Sequence, residues 1–246
     1  MPQLTDIIDF CTQQLDPAAF DDYCPNGLQV EGRREVRRIV SGVTASQALI
    51  DAAIEADADL LLVHHGYFWR GEAAPLVGMK GRRIKALMRA DLSLLAYHLP
   101  LDAHPELGNN RQLGLRLGFD RAEPVEGLLW GAELDSPMPL QILAGRVQAA
   151  LDRAPLVIGD GRELARVAWC TGGAQGMIDR AAALGFDAFI SGEVSEQTVH
   201  QARELGITYL AAGHHATERY GVQALGDALA AHFGIEHRFI EVPNPV

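Results

Sequence analysis

The chain has 246 residues, within the range of one large domain or two modest ones, and 48% hydrophobic with 22% charged residues is ordinary for a globular protein with a good core. A formal charge of −11 argues against general binding to nucleic acid or to an anionic membrane, both of which want basic surface, but leaves room for a nucleotide held at a metal-bearing pocket. Cys11, Cys24 and Cys170 lack metal-type spacing and point to a reduced, cytoplasmic setting; no signal stretch or membrane-length apolar span is expected.

In chain order, the basic groups Arg33, Arg34, Arg37, Arg38 and Lys80, Arg82, Arg83, Lys85 read as solvated faces, with help in holding phosphate as the alternative. Residues 38–43 predict a strand. Thr44 and Ser46 are candidate caps for an alanine-rich helix over 47–56. Residues 59–63 are a short continuous apolar strand of the kind buried on both faces of a parallel sheet. Residues 92–97 lead to His98. His104 to Asn110 reads as a polar loop, with Asn109 or Asn110 capping the next helix.

The stretch 120–160, rich in Pro and Gly, reads as a changeover. It divides a first α/β unit (1–125) carrying His64, His65 and Asp102 from a second (126–246) carrying His214 and Glu218. There, 166–170 predicts a strand, 177–184 a helix, 187–190 a strand, 207–211 a strand and 222–233 a helix. Gly172, Gly173 and Gly176 open the first of these helices. They read as a tight strand-to-helix turn, or more weakly as a phosphate cradle.

The two halves echo each other. Aligning Ile50-Asp51 with Ile178-Asp179 places Asp59 on Asp187 and His64-His65 on Gly192-Glu193. With one gap, His98-x-x-x-Asp102 matches His214-x-x-x-Glu218. We read this as internal duplication of one α/β unit; the alternative is two generic βαβ units.

The polar clusters all follow strands, where parallel α/β sheets build their sites. His64 and His65 can serve one site only if the chain leaves the extended form, which Gly66 permits; otherwise they are a surface pair. His214 and Glu218 share one helical face, as ligands or as a plain surface pair. Asp102 follows Pro100 and reads as a loop carboxylate suited to bridging cations, or as a cap. His98, His215 and Glu193 are candidates for proton transfer. His215 points away from His214 and is expected to be an orienting or substrate-facing residue. His200, His232 and His237 read as ordinary histidines. Five donors, His64, His65, Asp102, His214 and Glu218, exceed the need of one ion and suit two that share a bridge. A nitrogen and oxygen set without thiolate favours zinc, iron, manganese, nickel or cobalt.

Pro25-Asn-Gly-Leu-Gln-Val-Glu-Gly32, Val63-His-His-Gly-Tyr-Phe-Trp69, Tyr97-His-Leu-Pro-Leu-Asp102, Ser191-Gly-Glu-Val-Ser-Glu196 and Gly213-His-His-Ala-Thr-Glu218 closely resemble the Nif-three-like family, the GTP cyclohydrolase 1 type 2 homologues. The resemblance spans essentially the whole chain. It implies two similar, intertwined three-layer α/β/α domains, a dinuclear metal centre on the same five residues and a toroidal homohexamer. It also implies a metal-dependent hydrolase that converts GTP to dihydroneopterin triphosphate and formate. Membership does not fix a substrate. Another dinuclear metallohydrolase, acting on a phosphoester or an amide, and a non-enzymatic metal-binding or assembly protein are the other expectations.

Overall fold

The computed structural model describes residues 1–246. In chain order the elements are α1 (Leu4–Leu15), β1 (Gly27–Val30), β2 (Arg38–Thr44), α2 (Gln47–Glu55), β3 (Leu60–His65), α3 (Gly78–Arg89), β4 (Ser93–Ala96), α4 (Leu99–Ala103) and α5 (Asn109–Arg116). There follow β5 (Glu123–Glu126), β6 (Leu129–Pro139), α6 (Leu140–Leu151), β7 (Leu156–Ile158), β8 (Glu163–Cys170), α7 (Ile178–Ala183), β9 (Ala188–Ser191), α8 (Glu196–Leu205), β10 (Thr208–Ala211), α9 (His214–Thr217), α10 (Arg219–Phe233) and β11 (Glu236–Phe239). They form two compact α/β units, one made of Met1–His104 with Gly221–Pro243, the other of Pro105–Tyr220 with Asn244–Val246. No helix is long and apolar enough to cross a membrane.

The first unit holds a sheet in the order β1-β4-β3-β2-β11. Strands β4, β3, β2 and β11 run parallel, and β1 closes the edge antiparallel to β4. Central strands covered on both faces must be apolar throughout, which is why β3 and β4 show no polar alternation. On one face Val40, Leu61, Val63, Leu94 and Ala96 pack against Leu49, Ile50 and Ala53 of α2 and Ile84 and Leu87 of α3. Each such large side chain, fully buried, contributes roughly 1.5–3 kcal/mol. Ser46, of the two expected caps, accepts from the Leu49 amide and starts α2.

The second unit holds a sheet in the order β5-β6-β8-β9-β10-β7. Here β8, β9 and β10 are parallel, while β6 and β7 pair antiparallel at their flanks. The period of two along a strand sorts its residues onto two faces. Val167, Trp169, Ala188, Ile190 and Leu210 face α5 and α6, whereas Ala168, Cys170, Phe189 and Tyr209 face α7 and α8. This unit is therefore a three-layer α/β/α arrangement.

The two units repeat one another in detail. Asp59 Oδ2 accepts from the amides of Arg37 and Arg38, and Asp187 Oδ2 accepts from those of Ala165 and Arg166. Arg38 donates to the carbonyls of Ala56 and Asp57, and Arg166 to those of Leu184 and Gly185. Every member of the first set maps onto the second at the same sequence offset, the one set by Asp59 and Asp187. Generic βαβ units have no reason to share such side-chain bonds, so duplication explains them.

Residues 120–160 are not the irregular changeover their composition suggests. They form β5, β6, α6 and β7. Gly127, with φ +56°, turns the β5–β6 hairpin. Pro124 lies on the exposed edge strand, where a missing amide is tolerated.

Candidate metal-binding clusters

In the first unit, β3 continues through His65 instead of ending at Val63. The exit beyond it is tight: a Cβ on Gly66 would lie 2.1 Å from Gln29 Oε1, the atom that accepts the Tyr67 amide. His64 is fully buried, and its Nδ1 donates to the Tyr97 carbonyl at 2.9 Å. Because a carbonyl only accepts, this bond places the proton on Nδ1 and leaves Nε2 as the donor atom for a ligand. His64 Nε2 lies 3.5 Å from Asp102 Oδ1. His65 Nδ1 is 3.2 Å from Thr44 Oγ1, and the two imidazole rings are 4.5 Å apart. Ring nitrogens of His64, His65 and His98 all lie within 4.8 Å of one another.

Asp102, read from the sequence as a loop carboxylate, instead sits on the short helix α4 and is 6% exposed. Pro100 does not prevent this, because it occupies the first turn, where no helical amide bond is required. The Asp102 amide bonds the His98 carbonyl.

Asp22 gave no sequence signal, and Asn26 and Trp69 stood only within family-like motifs, with no role assigned to either. Asp22 Oδ1 receives His98 Nδ1 at 2.7 Å, Asn26 Oδ1 receives the His98 amide at 2.7 Å, and Trp69 stands edge-on to the His98 ring at 5.0 Å. Asp22 lies 76 positions from His98 in an irregular segment, so no spacing rule could pair them. Asp22, Cys24 and His98 also offer atoms within 4.8 Å of one another. That trio suits a cation poorly. Asp22 already takes four hydrogen bonds, and burial, with the Asp22 charge adding to it, pushes the Cys24 thiol up to about 12.

In the second unit, His214 opens α9 just after β10. Its Nδ1 is 2.7 Å from Glu193 Oε1 and its Nε2 3.1 Å from Glu218 Oε2. Burial alone would lower the His214 pKa, but the bonds and charges of Glu218 and Glu193 overcome it and raise it to about 9. Glu218 is 3% exposed and closes the turn through its amide on the His215 carbonyl.

Gly172, with φ +68°, turns the chain beneath this pair. A Cβ there would lie 2.0 Å from Glu218 Oε1. The Gly172 amide is taken by Thr217 Oγ1, which supports the tight-turn reading over a phosphate cradle. His215 is buried, with its amide on the Val246 carbonyl. Asn110 does not cap α5; Gly108 does, and the Asn110 side chain accepts the Thr171 amide. His237 bonds both Ser41 and Asp227, His200 pairs with Glu196 on the surface, and His232 packs on Phe10.

The donor chemistry of both clusters fits divalent cations. His64, His65 and His214 each have Nδ1 engaged by an oxygen, the arrangement that orients an imidazole and reserves Nε2 for a metal. The oxygen donors are carboxylates, Asp102 and Glu218, beside those same rings.

The sequence profile of Duf34/NIF3 (NGG1p interacting factor 3) matches residues 2–245. The chain is 60% identical to a GTP cyclohydrolase 1 type 2 homolog of Pseudomonas aeruginosa, over 98% of each chain. The solved protein ybgI, described as of unknown function, superimposes with a TM-score of 0.95 at 51% identity, over 99% of this chain and all of that one. TTHA1606 from Thermus thermophilus gives 0.93 at 34% identity, over 99% of this chain and all of that one.

Proposed function

The chain belongs to the Duf34/NIF3 family, and from that premise we propose that it is a hydrolase working with two divalent metal ions, with His64, His65, Asp102, His214 and Glu218 as ligands. The observation that carries this is the common state of three imidazoles, each with Nδ1 held by an oxygen of the protein. Zinc, iron, manganese and nickel suit such a set of nitrogen and carboxylate donors. Bound ions of this kind supply Lewis acidity and lower the pKa of water, the needs of a hydrolysis.

The protein's own residues supply the rest. Tyr97, Thr44 and Glu193 orient the ligating rings. Glu193, through its bond to His214 Nδ1, is an orienting residue in this reading and not a proton donor to substrate. His98 and His215 are the proton carriers. The substrate is a nucleotide. The relatives' name points to GTP, whose guanine imidazole ring would be opened with water to give formate and dihydroneopterin triphosphate. The assembly is a toroidal homohexamer, and the working compartment is the cytoplasm.

The test is turnover of GTP by protein reconstituted separately with zinc, manganese and ferrous iron, following formate and pterin fluorescence against Glu218→Ala. Turnover that disappears in the variant supports the cyclohydrolase reading. Absence of turnover with two ions bound per chain moves the substrate to a phosphoester or amide, or makes the protein a non-enzymatic metal binder.

A further inference from the structure

We propose that Asp22 and Asn26 form a positioning clamp that fixes the ring of His98, with Nδ1–H donated to the Asp22 carboxylate and Nε2 left as the nitrogen available to whatever binds beside His64 and His65. The inference rests on the metal reading above, in which His98 is a proton carrier and not a ligand, and deepens it by giving the His98 ring one fixed orientation.

Four bonds converge on Asp22, whose side chain is 3% exposed. Oδ1 accepts from the Tyr23 amide at 2.6 Å and from His98 Nδ1 at 2.7 Å. Oδ2 accepts from Asn26 Nδ2 at 2.8 Å and from the Leu99 amide at 3.0 Å. Asn26 completes the ring of contacts by accepting the His98 amide on Oδ1 at 2.7 Å. The backbone on both sides of His98 and its ring are thus gripped by one carboxylate and one amide.

A carboxylate with four donors has little capacity left for a cation, and it is an acceptor for the imidazole proton. The Nδ1 nitrogen is therefore consumed. The ring faces its neighbours at 5.1 Å from His64 and 5.7 Å from His65, with Trp69 edge-on at 5.0 Å on another side. A ring locked on several sides holds one nitrogen at a set place, as proton transfer requires. Asp22 touches no substrate in this scheme; it is a positioning residue acting through His98.

The test is the proton position on His98. Magic-angle-spinning 15N spectra would be recorded on the full chain labelled at histidine, metal-free and zinc-loaded, with the His98 signals identified by their loss in His98→Ala. The expected result is a protonated Nδ1 in the wild type, and a loss of more than half of that Nδ1–H population in Asp22→Ala. An unprotonated Nδ1 in the wild type, or a spectrum unchanged by Asp22→Ala, overturns the clamp. Should Asp22→Ala fail to fold, the wild-type spectrum decides alone. Zinc stoichiometry separates the two readings. If the wild type binds no zinc, the metal reading fails and the spectrum still judges the clamp. If Asp22→Ala retains wild-type zinc while His64→Ala does not, the positioning role stands. Equal loss in both would place His98 among the ligands and overturn it.

Discussion

Glu193 holds the Nδ1 of His214 at 2.7 Å, while the other nitrogen of the same ring stands 3.1 Å from Glu218. A carboxylate behind an imidazole raises its basicity and fixes its rotation. Glu193→Gln keeps a hydrogen-bonding oxygen but loses the charge, so zinc affinity should fall about 10- to 100-fold with little change in fold. Calorimetric titration of zinc into metal-free protein checks this; unchanged affinity would remove Glu193 from the orienting role.

Gly172→Ala should damage the same cluster by a different route. The new Cβ would meet Glu218 Oε1 at 2.0 Å in a backbone region with φ +68° that disfavours side chains. Glu218 must shift, so both metal affinity and melting temperature should drop. The stability loss is expected at about 2–4 kcal/mol, measured by denaturant unfolding. A variant with wild-type stability and zinc binding would show that Glu218 has slack the structure does not reveal.

Asp22 sets an acid limit on stability. Burial alone would raise its pKa, but hydrogen bonds from His98 and Asn26, the His98 charge and the Tyr23 amide bring it well below the ordinary 3.8. A carboxyl whose folded pKa is depressed contributes stability that is fully present above its unfolded pKa. That contribution is lost as pH falls below about 4 toward the folded value. Asp22→Asn should therefore be less stable than wild type at pH 7, by about 2–4 kcal/mol, with the gap narrowing below pH 4. A gap constant across that range would show the charge to be unimportant.

The duplicated carboxylates give an internal comparison. Asp59→Ala strands the Arg37 and Arg38 amides and the Arg33 guanidinium at a site 2% exposed. Asp187→Ala strands the Ala165 and Arg166 amides at a half-buried site. The first should cost about 2–4 kcal/mol and the second about 1–2 kcal/mol, in that order by chemical denaturation.

Much of this architecture is visible in the residues themselves. Leu60 to Val63 and Ala188 to Ile190 are buried on both faces, so their lack of alternation announces parallel strands. Asp59 and Asp187 align because a duplicated side-chain bond constrains both. Where the reading failed, local rules met tertiary context. Pro124 and Gly127 mark a hairpin and its edge, not a linker. Pro100 starts α4 instead of forbidding it. The return of the chain to the first unit at Gly221 falls within the continuous helix α10, where composition carries no boundary signal. Asp22 could not be found at all, because its importance comes from four donors brought to it by folding.

Elemental analysis of the zinc-reconstituted protein tests most directly the proposal that two divalent ions are held by His64, His65, Asp102, His214 and Glu218. Two ions per chain are expected, with loss of at least one in Asp102→Ala and in Glu218→Ala while both variants remain folded. A wild type without stoichiometric metal, or folded variants that keep both ions, would contradict it.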